Sequence, residues 1–172
     1  MNATLWEVSG PWKGRLAVVP RPRGGDWLED EIEALREAGV DMLVSALTAS
    51  EIAELDLARE EDRCGAHGIE YVLFPIQDYS VPASIRATAA LVERITTSLA
   101  DGKGVATHCR GGVGRSPLLA ACVLAMSGID VATAFEGIGA ARGCPVPDTA
   151  EQRAWMEQFA RENAPVTRRA AS

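Results

Sequence analysis

The chain has 172 residues, 47% of them hydrophobic, enough for one domain with one sizeable core and no need of metal or disulfides to hold it. A net charge of −7 argues against nucleic acid or an anionic membrane as the main partner, and no apolar run approaches the length of a membrane span. Four unevenly spaced cysteines form neither a disulfide framework nor a zinc pattern. With no export signal at the N-terminus, a reducing cytoplasm is the expected compartment.

In chain order, Thr4–Val8 and Arg15–Val19 read as two short strands around the turn Ser9-Gly10-Pro11. Trp6 and Trp12 read as packing residues, and residues 20–25 as a loop whose arginines face solvent. Asp26 and Glu29 have the spacing of a capping box opening a helix lined by Leu28, Ile32 and Leu35 and ended by Gly39. Met42–Leu47 is a near-continuous apolar strand, as expected where both faces are covered. Thr48 and Glu51 form a second capping box. The following helix, with Ile52, Leu55 and Ala58 inward, is expected to run to Gly65 or Gly68. Glu70–Ile76 is the next strand. Ser80 is placed to cap a helix lined by Ile85, Ala89, Val92, Ile95 and Leu99, which Asp101-Gly102 stops.

Val105–His108 is then a short strand leading into Cys109-Arg-Gly-Gly-Val-Gly-Arg115-Ser116-Pro117. Ser116 can cap the helix that follows, and Pro117 suits its first turn. A glycine-rich loop ahead of a helix turns successive N–H groups into one concavity at the positive end of the helix dipole, a site matched to phosphate. Cys109 sits at its mouth, where the same amides favour the thiolate. Arg115 brings a planar two-pronged donor to phosphate oxygens. Arg110, Gly111, Gly112, Val113 and Gly114 form the cradle. Beyond it, Asp130 caps a helix lined by Val131, Ala134, Phe135 and Ile138. Asp148 with Glu151 starts the last helix. Residues 1–163 read as one domain and 164–172 as a frayed polar tail.

Strands alternating with helices imply an α/β sheet with right-handed crossovers, and ligands then bind beyond the carboxyl ends of the strands. The loops after Ile76 and His108 both leave such ends, so Asp78 and Cys109 belong on one side. The chemistry that fits is attack of the Cys109 thiolate on a phosphate monoester, with loop amides and Arg115 holding the equatorial oxygens. Asp78 is the candidate to protonate the leaving oxygen, a contribution of roughly 10²–10⁴-fold. Ionised, it can then activate water. Ser116 would donate to the cysteine sulfur, and His108 would orient the loop. No metal or cofactor is called for. The short link at Gly128-Ile129 makes the next two helices antiparallel, returning Arg142, Cys144 and Asp148 to the pocket mouth. Tyr79, Arg142, Asp148 and Gln152 are therefore candidate rim residues. Cys144 is the one other cysteine brought towards Cys109, in what reads as a stiff loop.

The motif His108-Cys109, five residues, Arg115-Ser116 resembles the signature of the cysteine-dependent protein phosphatases. From Asp26 to about Phe159 the chain is similar to the compact dual-specificity phosphatases, most closely the kinase-associated phosphatase group. That resemblance rests on Leu-Arg-Glu-Ala-Gly-Val40, Pro75-Ile-Gln-Asp78 and Thr149-Ala-Glu-Gln152. It implies a mixed, mostly parallel five-stranded sheet flanked by helices, a phosphoprotein substrate and no cofactor. Two departures stand out. Classical tyrosine phosphatases carry Gln-Thr-x-x-Gln where this chain has Asp148-Thr149-Ala-Glu-Gln152, and Asp148 reads as a helix cap. The kinase-associated group has a cysteine after the strand that here ends at Leu47, so its disulfide with the nucleophile cannot form.

The expected activity is hydrolysis of phosphotyrosine, with phosphoserine and phosphothreonine left open. A phosphoinositide or other small phosphate-monoester phosphatase is an alternative, though Arg110 is the only extra cation in the loop. A non-catalytic phosphate-binding module is another, and it conflicts with the presence of Cys109, Asp78 and Arg115 together. Oligomeric state is open, and a monomer is compatible with everything above.

Overall fold

The structure, a computed structural model, describes residues 2–165. Two strands, β1 (Trp6–Val8) and β2 (Arg15–Val18), are followed by a 3-10 turn at Gly25–Trp27 and helix α1 (Leu28–Glu37). Then come β3 (Met42–Ser45), α2 (Ala49–Glu54), α3 (Glu60–Ala66) and β4 (Glu70–Leu73). Helix α4 (Ile85–Ala100), β5 (Gly104–His108), α5 (Arg115–Met126), α6 (Val131–Arg142) and α7 (Ala150–Asn163) complete the chain. The strands form one five-stranded sheet in the order β1-β2-β5-β3-β4, parallel except for β1. The expected mixed, mostly parallel α/β architecture is the observed one. No helix among the described residues is long and apolar enough to cross a membrane.

Alternation along the strands splits the interior into two layers. Leu16, Val18, Met42, Val44 and Val105 face a core shared with α4, α5, α6 and α7. Ala17, Leu43 and Ala106 face a second core under α1 and α3. Because both faces are covered, β3 and β5 are buried at every position. Helix α5 is buried from Arg115 to Ala125, so its sequence is apolar all round rather than striped. This helix runs from the carboxyl end of β5 into the centre of the larger core, which fixes the loop before it. The turn between α1 and β3 passes close over the start of β5 at Gly104, where an added Cβ would lie 2.0 Å from the Gly39 carbonyl oxygen.

Several local expectations are corrected. The strands are shorter than the apolar runs; Ala46, Leu47 and Ile76 are buried but leave the ladder. Asp26 and Glu29 form no capping box. The 3-10 turn winds first, Trp27 becomes the N-cap of α1 without a side-chain bond, and Glu29 instead meets Arg63 and His67 at 2.6 and 2.7 Å. The helix expected from Thr48 to Gly65 or Gly68 breaks in two. Asp56 takes a left-handed φ of 54°, which asparagine and aspartate tolerate best among residues with a Cβ. The break turns Leu57 and Glu60 inward and leaves Ala58 exposed. Ser80 does not cap α4. Val81 precedes Pro82 and is barred from helical geometry, so the helix starts at Ser84, whose Oγ accepts the Ala87 amide at 3.1 Å. Ser116 lies inside α5, after Gly114 as N-cap. The N-cap of α7 is Thr149, not Asp148: its hydroxyl accepts the Gln152 amide at 3.1 Å, and Gln152 answers to the Thr149 amide at 3.3 Å. The expected tail at 164–172 lies, from residue 166 on, outside the described residues.

The cap reassignment is measurable. Ser84→Ala is expected to cost about 0.5–2 kcal/mol in a denaturant titration, by loss of a helix cap. Ser80→Ala is expected to be close to neutral, since its hydrogen bonds among the described residues are made by its backbone, which the substitution keeps. A larger loss at Ser80 than at Ser84 would contradict the observed start of α4.

Candidate active site

The site sits at the carboxyl ends of β3, β4 and β5, where the loop 109–114 closes onto the N-terminus of α5. β5 delivers Cys109, which is 2% exposed. Its Sγ accepts the Gly112 amide at 3.3 Å and the Ser116 hydroxyl at 3.2 Å. Gly112 has a φ of +69°, and this left-handed step is what lets the chain curl back so that its amide reaches the sulfur. Gly114 is just as constrained by space: a Cβ there would sit 2.5 Å from Asp148 Oδ2 and 2.9 Å from Gln152 Nε2.

Arg115 opens α5 with its side chain turned back under the loop, 1% exposed. Nη1 donates to Glu51 Oε2 at 2.7 Å, to the Ile76 carbonyl at 2.9 Å and to the Ala46 carbonyl at 3.3 Å. Nη2 donates to Glu51 Oε1 at 2.8 Å and lies 3.0 Å from Asp78 Oδ1. Nε is buried without a hydrogen-bond partner among the described residues. An unmet buried donor is costly, so this is the prong the fold leaves for a ligand. Burial opposes the Arg115 charge, but Glu51, the Cys109 sulfur and Asp78 together outweigh it, and the guanidinium is held more firmly protonated than usual. In return the Arg115 hydrogen bonds, against burial and with help from the Thr48 amide, take the Glu51 carboxyl down to about 2.

Asp78 reaches the pocket from the loop after β4, as its topology predicts. Its Oδ1 also accepts the Tyr79 amide at 3.0 Å, and its side chain is 41% exposed. Tyr79 is exposed at the rim with a left-handed φ of 59°. Asp148, freed from capping, packs against the loop at Gly114. Burial, followed by the Asp78 charge, raises the Asp148 carboxyl above its ordinary value, with Arg115 pulling the other way. Gln152 is fully buried and ties α7 to the Asp78 loop by donating to the Ser80 carbonyl at 2.9 Å. Thus Cys109, Arg115, Ser116, Asp78, Asp148 and Gln152 are brought together around the loop 109–114 and the N-terminus of α5.

Arg142 reaches the loop but turns to its outer side, donating from Nε to the Gly112 carbonyl at 3.1 Å and from Nη2 to the Gly111 carbonyl at 3.2 Å. Arg110 points outward and forms a two-pronged pair with Glu54 at 2.7 and 3.1 Å. Val113 is half-buried against the larger core. His108 is fully buried behind Cys109. Its Nδ1 is 3.5 Å from the Cys109 carbonyl, and its Nε2 lies 2.9 Å from Glu60 Oε1 without the alignment of a hydrogen bond. The other thiols are set apart. Burial, with Glu60 and Glu61, pushes Cys64 up to about 12. Burial alone pushes Cys122 well above the thiol range. Cys144 is half-buried.

Sequence reasoning missed four residues. Glu51 was legible only as a cap, Glu54 not at all, Glu60 only as part of a longer helix, and Trp6 only as packing. The helix register alone places Glu51 and Glu54 together, but nothing local shows that they face Arg115 and Arg110.

A family model described as "Tc-R-P: Polymorphic toxin system, DSP-PTPase phosphatase" matches residues 18–129. Cyclin-dependent kinase inhibitor 3 of Rattus norvegicus is 26% identical over 134 residues, 77% of this chain and 63% of that protein. The Homo sapiens protein of that name is 27% identical over the same shares. The chain therefore spans somewhat under two thirds of the length of these curated relatives. The crystal structure of a kinase associated phosphatase with serine at its catalytic cysteine superposes with a TM-score of 0.84 at 21% identity, covering 94% of this chain and 96% of that one. Tk-PTP in its active form gives 0.73 at 26% identity, covering 86% and 92%. PTPMT1 in complex with PI(5)P gives 0.72 at 19%, a likeness of fold alone, covering 86% and 90%. Fold and family model agree, and the chain belongs to the DSP-PTPase family of cysteine-dependent phosphatases.

Proposed function

We propose that this chain is a protein phosphatase that hydrolyses phosphotyrosine, and phosphoserine and phosphothreonine as secondary substrates, through a cysteinyl-phosphate. The Cys109 sulfur attacks phosphorus in line while the ester P–O bond breaks. Asp78 gives its proton to the departing oxygen. Asp78, now ionised, takes a proton from water as the water attacks phosphorus. The S–P bond then breaks, with the Ser116 hydroxyl donating to the leaving sulfur, and inorganic phosphate departs. Loop amides and Arg115 hold the equatorial oxygens throughout. The observation that carries this reading is the convergence on one sulfur of a loop amide and a hydroxyl, beside a buried guanidinium that also contacts the candidate acid.

Charge at the mouth supports a singly phosphorylated group on a protein rather than a polyanionic lipid. Arg110, the loop's only cation besides Arg115, is already paired with Glu54. Glu51, Asp78 and Asp148 add further negative charge around Arg115. A substrate with several phosphates meets repulsion here that a neutral or basic peptide does not. Relatives named for kinases also favour a phosphoprotein. A phosphopeptide panel run beside phosphoinositide vesicles tests this: turnover of phosphopeptides with little of the lipid is expected, and the reverse preference would overturn the substrate class.

Cys109→Ser is expected to abolish turnover of an aryl phosphate while retaining vanadate binding, because the amides and Arg115 remain. Substantial turnover by that variant would sink the mechanism. Asp78→Ala is expected to lower kcat roughly 10²–10⁴-fold for poor leaving groups and to remove the basic limb of the pH profile. The defect should shrink for very good leaving groups. An unchanged kcat on a phosphopeptide would move the acid's role to another carboxyl.

The Glu51–Arg115 pair also has a pH signature. A carboxyl held at about 2 in the folded protein, below its ordinary 4.5, contributes stability that is fully present above 4.5 and fades as pH falls towards 2. Glu51→Gln is therefore expected to be much less stable than the parent at neutral pH, with the gap closing between those two values. A gap independent of pH in denaturant titrations would contradict the pairing.

A further inference from the structure

The phosphate loop is gripped from outside by two residues that lie beyond the family-matched stretch 18–129. Arg142, the last residue of α6, donates from Nη2 to the Gly111 carbonyl at 3.2 Å and from Nε to the Gly112 carbonyl at 3.1 Å. Its guanidinium lies over the ring of Trp6 in β1, 3.8 Å from the ring centroid. The two side chains meet at Gly112 itself: a Cβ there would be 3.2 Å from the Trp6 ring and 3.4 Å from Arg142 Nε.

Peptide planarity gives this grip a direction. The Gly111 carbonyl and the Gly112 N–H belong to one planar unit and point opposite ways. Holding the carbonyl outward on Arg142 aims the N–H inward, and that N–H is the one that donates to Cys109 Sγ at 3.3 Å. The Gly112 carbonyl, held by Nε, likewise turns the Val113 N–H away from Arg142. A cation on the carbonyl end also polarises the unit, strengthening the donor at its other end.

We infer that Arg142, braced by Trp6, is a positioning residue that sets the phosphate-loop amides on the Cys109 sulfur. This rests on Cys109 being the nucleophile. It replaces the direct substrate contact expected from Arg142 at the rim, because both groups that reach the loop are spent on its carbonyls. It also gives the antiparallel β1 a part in the site: β1 carries the ring on which the guanidinium lies, and cation–π contact favours that flat placement. Arginine suits the role because its fork spans two carbonyls, which a lysine ammonium does not match.

The test reads the sulfur directly, without turnover. The pH dependence of Cys109 alkylation by iodoacetamide, resolved by peptide mapping, is compared in the parent, Arg142→Ala, Arg142→Lys, Trp6→Ala and Trp6→Phe. Other charged groups around Cys109 are unchanged in these variants: Arg115 on α5, Glu51 on α2, Asp78 and Asp148 on their loops, and His108 on β5. Arg142→Ala is expected to move the alkylation midpoint to higher pH and to lower kcat/KM on an aryl phosphate by about 10–100-fold, the range for losing charged hydrogen bonds. Arg142→Lys should fall between, Trp6→Ala should shift the same way by less, and Trp6→Phe should stay near the parent. A folded Arg142→Ala with parental midpoint and kcat/KM overturns the inference. If that variant fails to fold, parental midpoints in both Arg142→Lys and Trp6→Ala overturn it. Turnover by Cys109→Ser tells separately whether the nucleophile was assigned correctly.

Discussion

A guanidinium buried to 1% exposure is the constraint around which this molecule is arranged. A buried charge is tolerated only when it is paired and its donors are met. Arg115 meets that condition at both terminal nitrogens with groups from two segments, Ala46 and Glu51 following β3 and Ile76 and Asp78 following β4. Each of these groups stands at a carboxyl end of the parallel strands. The sheet order therefore assembles the site, since β5 lies beside β3 and β3 beside β4. Removing Glu51 would leave the cation short of a buried counter-charge, a far larger fault than losing a surface ion pair.

Asp78 contacts the same guanidinium that, in the proposed mechanism, must grip phosphate. An incoming dianion competes with Asp78 for Nη2, while Nε is buried without a partner among the described residues. The candidate acid and the phosphate thus meet at one guanidinium, which puts Asp78 beside the group it would serve. Asp148 feels the same field and is already pushed upward by burial and by Asp78. Gln152 holds α7 and the Asp78 loop together, so both carboxyls are fixed to one framework.

Much of this was legible in the sequence because its signals are local. Gly111, Gly112 and Gly114 between a buried strand and an apolar helix specify the cradle, and the spacing of Cys109, Arg115 and Ser116 specifies what faces into it. That Asp78 lies on the same side as Cys109 followed from both loops leaving carboxyl ends of parallel strands. What sequence did not reveal depends on long-range pairing. Glu51 is a flawless capping-box residue, and that local role masked its second one. Glu60 lies beside His108 only because the left-handed step at Asp56 breaks a helix that periodicity would continue. Asp148 looked like a cap because Thr149, the better-placed hydroxyl, was one residue away. Trp6 and Arg142 are far apart in sequence and meet only once β1 and α6 are packed together.

The central claim is that phosphate passes through the Cys109 sulfur. The direct measurement is rapid acid quenching of the enzyme during turnover of a phosphate-labelled aryl substrate, followed by peptide mapping of the trapped protein. With a leaving group good enough to depart unprotonated, the account predicts label on the peptide containing Cys109, as a phosphorus–sulfur linkage that accumulates further when Asp78 is replaced by alanine, because that variant lacks the base for the second step. Label on any other residue, or steady turnover with no phosphoenzyme in either protein, would contradict it.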